Sequence, residues 1–347
     1  MITAVVGWDI GGVNTKVARV ETDGAQSVVV ARTYPFEIQR DPAALGDVLS
    51  HATRDAKALP TDAHAVTMTA ELSQLFRTKR EGVGYVLDSF AAAFPESRCH
   101  VYTVDGHFVD AAWARAEPLK VAASNWVATA AFVAQRYSDV LLIDVGSTTT
   151  DIIPIVGGSV AAIGRTDPAR LESGELVYCG AVRTPVEALT HEVRIRGRVV
   201  GVSAEGFATT GDVHVWRGPL RPEDYVVGTP DGRPADREFA GERLARVVCA
   251  DRELLDARDI DSIAACVAEA QLARIANCIQ RARGRHPSLR MALVTGLGDF
   301  IATAAAERAG LEVIHLSSEL GEAAARAAPA AAAALLLADA LTAAGCP

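Results

Sequence analysis

Two short segments of the chain combine an aspartate, glycine and hydroxyl-bearing residues in the same order. The first is DIGGVNTK, Asp9–Lys16, and the second is DVGSTTTD, Asp144–Asp151. Glycine in a turn lets backbone N–H groups approach an anion closely, and the side chains that follow add donors for phosphate oxygens. Each segment predicts a phosphate-binding turn between two strands, although either alone could be an ordinary tight hairpin. The predicted phosphate-binding residues are Gly11, Gly12, Asn14, Thr15 and Lys16 in the first segment and Gly146, Ser147, Thr148 and Thr149 in the second.

The aspartate that opens each segment has a different predicted role. A carboxylate would repel phosphate, so Asp9 and Asp144 are predicted to hold Mg²⁺ or its waters; the alternative is that each carboxylate caps its turn. Lys16 could reach a phosphate oxygen as a point charge, which places it with Asp9 among the candidate catalytic residues, or it could be a solvated strand residue. Asp151 is either a second carboxylate at the metal or a residue that holds the hairpin. We expect Mg²⁺ as a cofactor, and the residues leave open whether ATP binds.

A further carboxylate and three cations form the next candidate group. Glu71 follows the apolar strand pattern of Ala63–Thr69, where an idle carboxylate would be costly. It is the third candidate catalytic residue, as a base or as a carboxylate that holds the metal through water; the alternative is a salt-bridged structural glutamate. Arg77, Lys79 and Arg80 come shortly after it and are predicted to clamp a diphosphate, unless they form only a solvated surface.

The elements that must position these residues follow from the periodicity of apolar residues. The first segment lies in a hairpin, Ala4–Val20, and is followed by a predicted strand at Ser27–Phe36, a helix at Asp41–Ala56 and a strand at Ala63–Thr69. This order of meander, helix and strand is that of half a ribonuclease-H-like domain. Further predicted elements of the first half are helices at Gly82–Phe94 and Ser124–Tyr137 and a strand at His100–Val104.

The second half of the chain repeats this order with an insertion. Gly158–Gly164 is predicted as its third strand, and Arg165–Asp261 is an irregular stretch, rich in glycine, proline and charge, that we interpret as an inserted subdomain. The remaining predicted elements are helices at Asp261–Arg283 and Phe300–Ala309, strands at Leu289–Thr295 and Val313–Leu316, and Ala-rich helices within Ser318–Ala343. The predicted domains are residues 1–137, residues 138–317 with the insertion at about 165–260, and a C-terminal helix within 318–347 that packs back toward the first domain.

The composition limits the kinds of partner. A net charge of −9 and no basic run longer than Arg281–Arg285 argue against a general nucleic-acid-binding protein. The N-terminus lacks the pattern of a signal peptide, and the Ala-rich tail Ala323–Ala344 contains Arg326, Pro329 and Asp339. We therefore expect no membrane contact and a cytoplasmic location. The cysteines show no zinc-ligand spacing and fit a reducing compartment; they are Cys99, Cys179, Cys249, Cys266, Cys278 and Cys346.

The order of these motifs resembles the actin/sugar-kinase/Hsp70 superfamily over nearly the whole chain. Asp9–Lys16 and Asp144–Asp151 match its two phosphate motifs, and Val294–Asp299 stands where its nucleoside motif would be. The resemblance implies an α/β fold class, with two ribonuclease-H-like (actin-like ATPase) domains flanking a cleft. It also implies a nucleoside-like loop at Gly296, Gly298 and Asp299 and an interdomain connecting helix around Ala323–Ala334.

Within that superfamily, the chain resembles the hydantoinase/oxoprolinase-like branch through TMTAEL, Thr67–Leu72. Further segments, FRTKREGV, AASNWVATA, GELVYCGAVRTPVEAL and GLGDFI, resemble a small group of methanofuran-biosynthetic transferases. The resemblance implies that an aminomethylfuran-methanol diphosphate condenses with γ-glutamyltyramine, so that the phenol oxygen displaces diphosphate and forms an aryl ether. The implied partners are these two small molecules, and a homo-oligomer is left open.

Two other kinds of function fit the same motifs. One is an ATP-dependent small-molecule kinase or an oxoprolinase-like hydrolase, in which Gly296–Asp299 would hold adenine or ribose. The sequence offers neither a separate base for a substrate hydroxyl nor a His-rich second module. The other is a non-enzymatic nucleotide-dependent switch or the activator ATPase of a radical dehydratase, and the isolated cysteines argue against the activator. Both require tight ATP binding, whereas the transferase does not.

Overall fold

The first half of the chain builds a six-stranded sheet around the N-terminal hairpin. The computed structural model describes residues 3–23 and 26–344, so Cys346 lies outside the described residues. The strand order is β3-β2-β1-β4-β5-β6, with β1 antiparallel to β2 and parallel to β4. The strands are β1 (Thr3–Ile10), β2 (Asn14–Thr22), β3 (Ser27–Pro35), β4 (Ala63–Met68), β5 (Cys99–Tyr102) and β6 (Phe108–Asp110), and the helices are α1 (Leu45–Asp55), α2 (Lys79–Ala93), α3 (Ala111–Ala116) and α4 (Asn125–Ala134).

The second sheet has a similar arrangement of strands to the first. Its order is β10-β8-β7-β13-β14, with β9 also pairing with β8, and β11 and β12 form a separate hairpin. As in the first sheet, a hairpin lies beside parallel strands, because β13 pairs in parallel with both β7 and β14. The strands are β7 (Val140–Val145), β8 (Thr150–Val156), β9 (Ser159–Val160), β10 (Leu176–Val177), β11 (Glu192–Ile195), β12 (Arg198–Gly201), β13 (Met291–Thr295) and β14 (Glu312–His315), and the helices are α5 (Asp167–Ser173), α6 (Thr210–Arg217), α7 (Arg237–Arg246), α8 (Ala257–Arg285) and α9 (Asp299–Arg308).

The chain divides into two compact units. One contains residues 1–139, 155–169 and 316–347, and the other contains residues 140–154 and 170–315. The first unit ends in three helices, α10 (Ser317–Leu320), α11 (Glu322–Arg326) and α12 (Ala328–Ala343). The alanines from Ala328 to Ala338 of α12 are buried, and this helix packs on β1, β2 and α4. Within residues 3–23 and 26–344, no helix has both the length and the hydropathy needed to cross a membrane.

The stretch that the sequence pattern describes as irregular, Arg165–Asp261, contains regular helices and strands, and its assignment as an inserted subdomain stays a prediction. It forms three helices and the β11–β12 hairpin, and its apolar residues pack in one cluster with the first half of α8. A buried ion pair joins two of its helices, with Nη2 of Arg243 lying 2.7 Å from Oδ1 of Asp212. Short helices that bury paired charges do not show a clear apolar period, which is why the pattern missed them. The predicted third strand Gly158–Gly164 is reduced to Ser159–Val160.

An aromatic cluster with one histidine fills the core of the first unit. The indole Nε1 of Trp8 donates a hydrogen bond to Nδ1 of His64 at 2.9 Å. The imidazole also contacts the rings of Phe90 and Phe94, at centroid distances of 5.4 Å and 4.8 Å. Burial lowers the pKa of His64 from 6.5 to about 4. The imidazole is therefore neutral at physiological pH, which lets Nδ1 accept the bond.

Because His64 is buried in its neutral form, we expect the protein to lose stability in mild acid. The pKa in the folded protein lies below the unfolded value, so protons favour the unfolded chain as the pH falls from 6.5 toward 4. The free energy of unfolding should fall by roughly 3 kcal/mol over this window. His64→Gln, whose amide oxygen can still accept from Trp8, should remove that part of the pH dependence in urea titrations. The exposed His51 gives the control His51→Gln, and equal slopes for both variants would contradict the assignment.

Candidate functional site

The first predicted turn is built by a hydrogen bond that closes the β1–β2 hairpin. The backbone N–H of Gly11 donates to the carbonyl oxygen of Asn14 at 2.9 Å. A Cβ on Gly11 would stand 2.6 Å from that same oxygen, so the turn requires glycine there. Asp9 and Lys16 are opposite each other in the hairpin register, and Nζ of Lys16 lies 3.2 Å from Oδ2 of Asp9. Thr15 is fully buried on β2, and a role for its side chain in binding phosphate stays a prediction.

The donor set at this turn fits Mg²⁺ only if phosphate and water supply most of the ligands. Mg²⁺ prefers oxygen ligands and commonly binds through one or two carboxylates together with substrate phosphates. Asp9 offers one such carboxylate at the end of β1. No group of three His, Cys, Asp or Glu side chains forms a metal site among residues 3–23 and 26–344. Asp9 would therefore hold Mg²⁺ only together with phosphate oxygens and water, and the binding of Mg²⁺ stays a prediction.

The second turn has the same hydrogen bond as the first. The N–H of Gly146 donates to the carbonyl oxygen of Thr149 at 2.9 Å. Asp144, at the end of β7, is half-buried and is the parallel partner of Thr295 on β13. Gly146, Ser147, Thr148 and Thr149 are all half-buried around this turn.

The predicted nucleoside-like loop packs directly on the second turn. Gly296 has a φ of +96°, and a Cβ there would lie 2.3 Å from Oδ1 of Asp144. The N–H of Gly298 donates to the carbonyl oxygen of Val145 at 2.8 Å. Asp299 begins α9, and its Oδ2 lies 3.9 Å from Nδ1 of His315. Gly296 thus makes room for the Asp144 carboxylate, and a role of this loop in holding a nucleoside stays a prediction.

Asp151 holds the second hairpin in place. Its Oδ1 accepts a hydrogen bond of 2.6 Å from Nη2 of Arg170, a guanidinium that is only 2% exposed. The same nitrogen donates to the carbonyl oxygen of Glu175 at 3.0 Å. This arrangement favours the structural role over a second metal carboxylate. Sequence reasoning did not single out Arg170, because nothing in its surroundings distinguishes it from an exposed arginine on a short helix.

Glu71 lies beside the first turn in a fully buried position. It belongs to a 3₁₀ turn, Ala70–Leu72, that follows β4, and it is 1% exposed. The preceding Thr69 donates its N–H to Ile10, and its hydroxyl oxygen lies 3.5 Å from where a Cβ of Gly11 would stand. Glu71 thus follows by two residues a threonine that contacts the first turn, and its catalytic role stays a prediction.

Burial and the neighbouring charges bring the pKa of Glu71 close to neutral pH. Burial raises its pKa from 4.5 to about 7, against the opposing effect of Lys79 and of the backbone N–H groups of Glu71 and Ala123. Nζ of Lys79 lies 2.6 Å from Oδ2 of Asp167 but 4.0 Å from Oε1 of Glu71. Asp167 thus holds the ammonium as its closer partner. The sequence analysis missed Asp167, which lies far from Glu71 along the chain.

The three predicted diphosphate-clamping cations differ in their surroundings. Lys79 is engaged by Asp167 as described, whereas Arg77 and Arg80 are exposed at the start of α2. The N–H of Arg77 donates to Oε2 of Glu81 at 2.9 Å, which helps to cap the helix. A role for these side chains in binding a diphosphate stays a prediction.

Comparison with known proteins places this geometry in a family. A model of the hydantoinase/oxoprolinase family matches residues 62–340. The (4-{4-[2-(γ-L-glutamylamino)ethyl]phenoxymethyl}furan-2-yl)methanamine synthase of Methanocaldococcus jannaschii is 37% identical over 298 residues, which cover 86% of this chain and 87% of that protein. The synthase of the same name from Methanococcus vannielii is 36% identical over 173 residues, 50% of this chain and 77% of that protein.

Solved structures share the fold at low identity. Nucleotide-free acetone carboxylase has a TM-score of 0.64 and 13% identity, over 95% of this chain and 70% of that chain. Component A of (R)-2-hydroxyglutaryl-CoA dehydratase from Acidaminococcus fermentans has a TM-score of 0.50 and 12% identity, over 98% and 99%. These matches and the two mixed sheets confirm the predicted α/β, actin-like fold class. The family match and the 37% identity show, in addition, that the chain belongs to the hydantoinase/oxoprolinase family.

Proposed function

We propose that this protein is a transferase that joins the phenol oxygen of γ-glutamyltyramine to the furfuryl carbon of an aminomethylfuran-methanol diphosphate. The observation that carries the proposal is the relative, 37% identical over 86% of the chain, that is named as the synthase of a phenoxymethyl-furan methanamine. A phenoxymethyl-furan contains an ether between a phenol oxygen and a carbon attached to the furan. A buried Glu71 carboxylate with a raised pKa, two residues after the threonine that contacts the first turn, supports the formation of such a bond.

In the proposed step, the bond between the furfuryl carbon and the diphosphate oxygen breaks, and its electron pair leaves with the diphosphate. The phenol oxygen forms the new bond to carbon, and the phenol proton passes to the Glu71 carboxylate. The furan oxygen stabilises positive charge on the furfuryl carbon, so catalysis depends mostly on the leaving group and on placing the phenol. Lys16 and the N–H groups of the first turn supply positive charge to the diphosphate. When bound, Mg²⁺ would neutralise further charge on it, held at Asp9.

The burial of Glu71 gives it the proton affinity that this role needs. A phenol loses its proton near pH 10 in water, far above an ordinary carboxyl group. Burial raises the pKa of Glu71 to about 7, which narrows that difference. Asp167 contributes in the same direction, because its negative charge raises the pKa of Glu71 and its carboxylate is the closer partner of Lys79. Glu71 is therefore ionised in about half of the molecules at pH 7, and its ionised form is a useful acceptor for a phenol proton.

The proposal predicts that the aspartate of each turn is needed for ether formation. Asp9→Asn and Asp144→Asn should each lower the rate by about 10- to 100-fold, as expected for carboxylates that hold a metal through water. Purified protein, Mg²⁺, the furfuryl diphosphate and γ-glutamyltyramine would be combined with and without ATP. Diphosphate release and the mass of the ether would be followed over time.

Asp88 offers a matched control for these variants. It is an exposed aspartate whose Oδ1 lies 2.7 Å from Nη1 of Arg115, so Asp88→Asn should keep the wild-type rate. Ether formed without ATP, and reduced only in the two turn variants, would support the transferase. Hydrolysis or binding of ATP without ether would contradict it and point to a kinase or an ATP-driven hydrolase.

A further inference from the structure

One segment of the second unit packs against the backbone of the second turn. We call Cys179–Thr184 the supporting segment. Its N–H groups at Ala181 and Val182 donate to the carbonyl oxygens of Gly146 and Ser147, at 2.9 Å and 3.0 Å. A Cβ on Gly180 would lie 2.5 Å from the backbone nitrogen of Thr148, so the two backbones are in direct contact. A shift of the supporting segment must therefore move the second turn.

A glutamine from the long helix α8 holds the supporting segment from the other side. Nε2 of Gln271 donates to the carbonyl oxygen of Gly180 at 2.9 Å, and the hydroxyl of Thr210 donates to the same oxygen at 2.9 Å. Gln271 is 1% exposed, and its neighbours on the buried face of α8, Val267 and Ile275, are apolar. A buried amide on such a face is costly unless it is hydrogen-bonded, so this contact is specific rather than incidental.

A buried histidine fixes which way the glutamine amide points. Nε2 of His214 lies 2.7 Å from Oε1 of Gln271. Burial lowers the pKa of His214 to about 4, so the ring is neutral. Because an amide oxygen only accepts, the ring proton must be on Nε2, and the amide NH₂ must face Gly180. The ring also contacts Phe300 on α9, at a centroid distance of 5.0 Å.

We propose that Gln271, oriented by His214, is a positioning residue that sets the second turn for binding diphosphate. The chain of contacts runs from His214 through Gln271 and the carbonyl of Gly180 to the backbone at Ser147 and Thr148. The inference rests on the proposed function, in which Asp144 of the second turn is needed for ether formation, and it adds that this turn contacts the diphosphate. Neither side chain would touch the substrate; their effect passes through the backbone of the supporting segment.

The test is Gln271→Met, which keeps a similar volume and removes the amide. Thr210 still donates to Gly180, so the variant should fold cooperatively, with a melting temperature lowered by a few degrees because the buried Nε2–H of His214 loses its acceptor. The KM for the furfuryl diphosphate should rise about tenfold, whereas the KM for γ-glutamyltyramine should stay the same. The matched control is Gln280→Met on the same helix, where the amide donates to Ala309 at 3.3 Å away from the turn. It should change neither constant.

A merely structural glutamine would give a different result. Loss of active protein lowers the rate for both substrates and leaves each KM unchanged, and that outcome, or an equal rise in both KM values, would overturn the inference. If wild-type protein forms no ether, the proposed reaction fails, and the inference is judged by calorimetric binding of magnesium diphosphate alone. Binding about tenfold weaker in Gln271→Met would still support it, and equal binding, or none by either protein, would overturn it.

Discussion

Replacing Glu71 with glutamine should lower the rate of ether formation by about 1,000-fold, within the range expected for the loss of a general base. The glutamine has nearly the same shape and remains beside Lys79 and the N–H of Ala123, so substrate binding should change little. The substitution should therefore lower kcat and leave the KM values nearly unchanged. Both substrates would be held at saturating concentration, and the mass of the ether would be followed as the product.

The same substitution should make the protein more stable in mild alkali. The pKa of Glu71 is about 7 in the folded protein and 4.5 in the unfolded chain, so ionisation favours unfolding as the pH rises from 4.5 through 7. Above pH 7 the cost approaches roughly 3 kcal/mol, and glutamine, which does not ionise, removes it. The free energy of unfolding should rise by up to this amount at pH 8 and by much less at pH 5, in urea titrations at both values.

A matched substitution separates this effect from a general change of charge. Glu96 is exposed, so Glu96→Gln should leave both the rate and the stability unchanged. A structural, salt-bridged Glu71 would behave in the opposite way, because its removal would destabilise the protein at pH 8 and spare the chemistry. An active or a destabilised Glu71→Gln variant would therefore contradict the role assigned here.

The two turns look equivalent in sequence, and the structure shows where they differ. Asp9 and Asp144 occupy matching places, each at the end of a strand and each opposite a threonine of the next parallel strand. Lys16 and Asp151 also match in position, but they carry opposite charges and have different partners. Lys16 lies against Asp9 within its own hairpin, whereas Asp151 is held by Arg170. Of the two turns, only the first thus has a positively charged side chain from its own hairpin, Lys16, beside its aspartate.

Local pattern was enough to predict the two hairpins and the neighbouring strands β4, β5 and β13. Glycine followed by hydroxyl residues marks both hairpins, and the apolar strand before Glu71 correctly indicated a buried carboxylate. Asp167, Arg170 and Gln271 were not predictable, because each acts on a residue that is distant along the chain. Their own surroundings in the sequence look like those of ordinary surface or helix residues. Such contacts arise from topology, which periodicity does not encode.

A single methyl group at Gly7 should destabilise the first unit strongly. Gly7 lies in the middle of β1, where α12 crosses the sheet. A Cβ there would stand 2.0 Å from the carbonyl oxygen of Ala330 and 2.9 Å from Cβ of Ala334. A helix carbonyl cannot turn away without breaking its own hydrogen bond, so α12 would have to move off the strand. Gly7→Ala should lower the free energy of unfolding by about 3 kcal/mol or more, measured by urea titration.

Gly84 shows what the same substitution does where space is available. It lies on α2 with no atom within 4 Å of an added Cβ, so Gly84→Ala should be neutral or stabilise the helix by up to about 1 kcal/mol. The difference in the free energy of unfolding between the two variants measures the effect of the contact with α12, because both variants share the general effect of glycine on the unfolded chain. Equal stabilities would mean that α12 does not need this close approach. The small residues of the C-terminal helix would then need another explanation than the packing seen at β1.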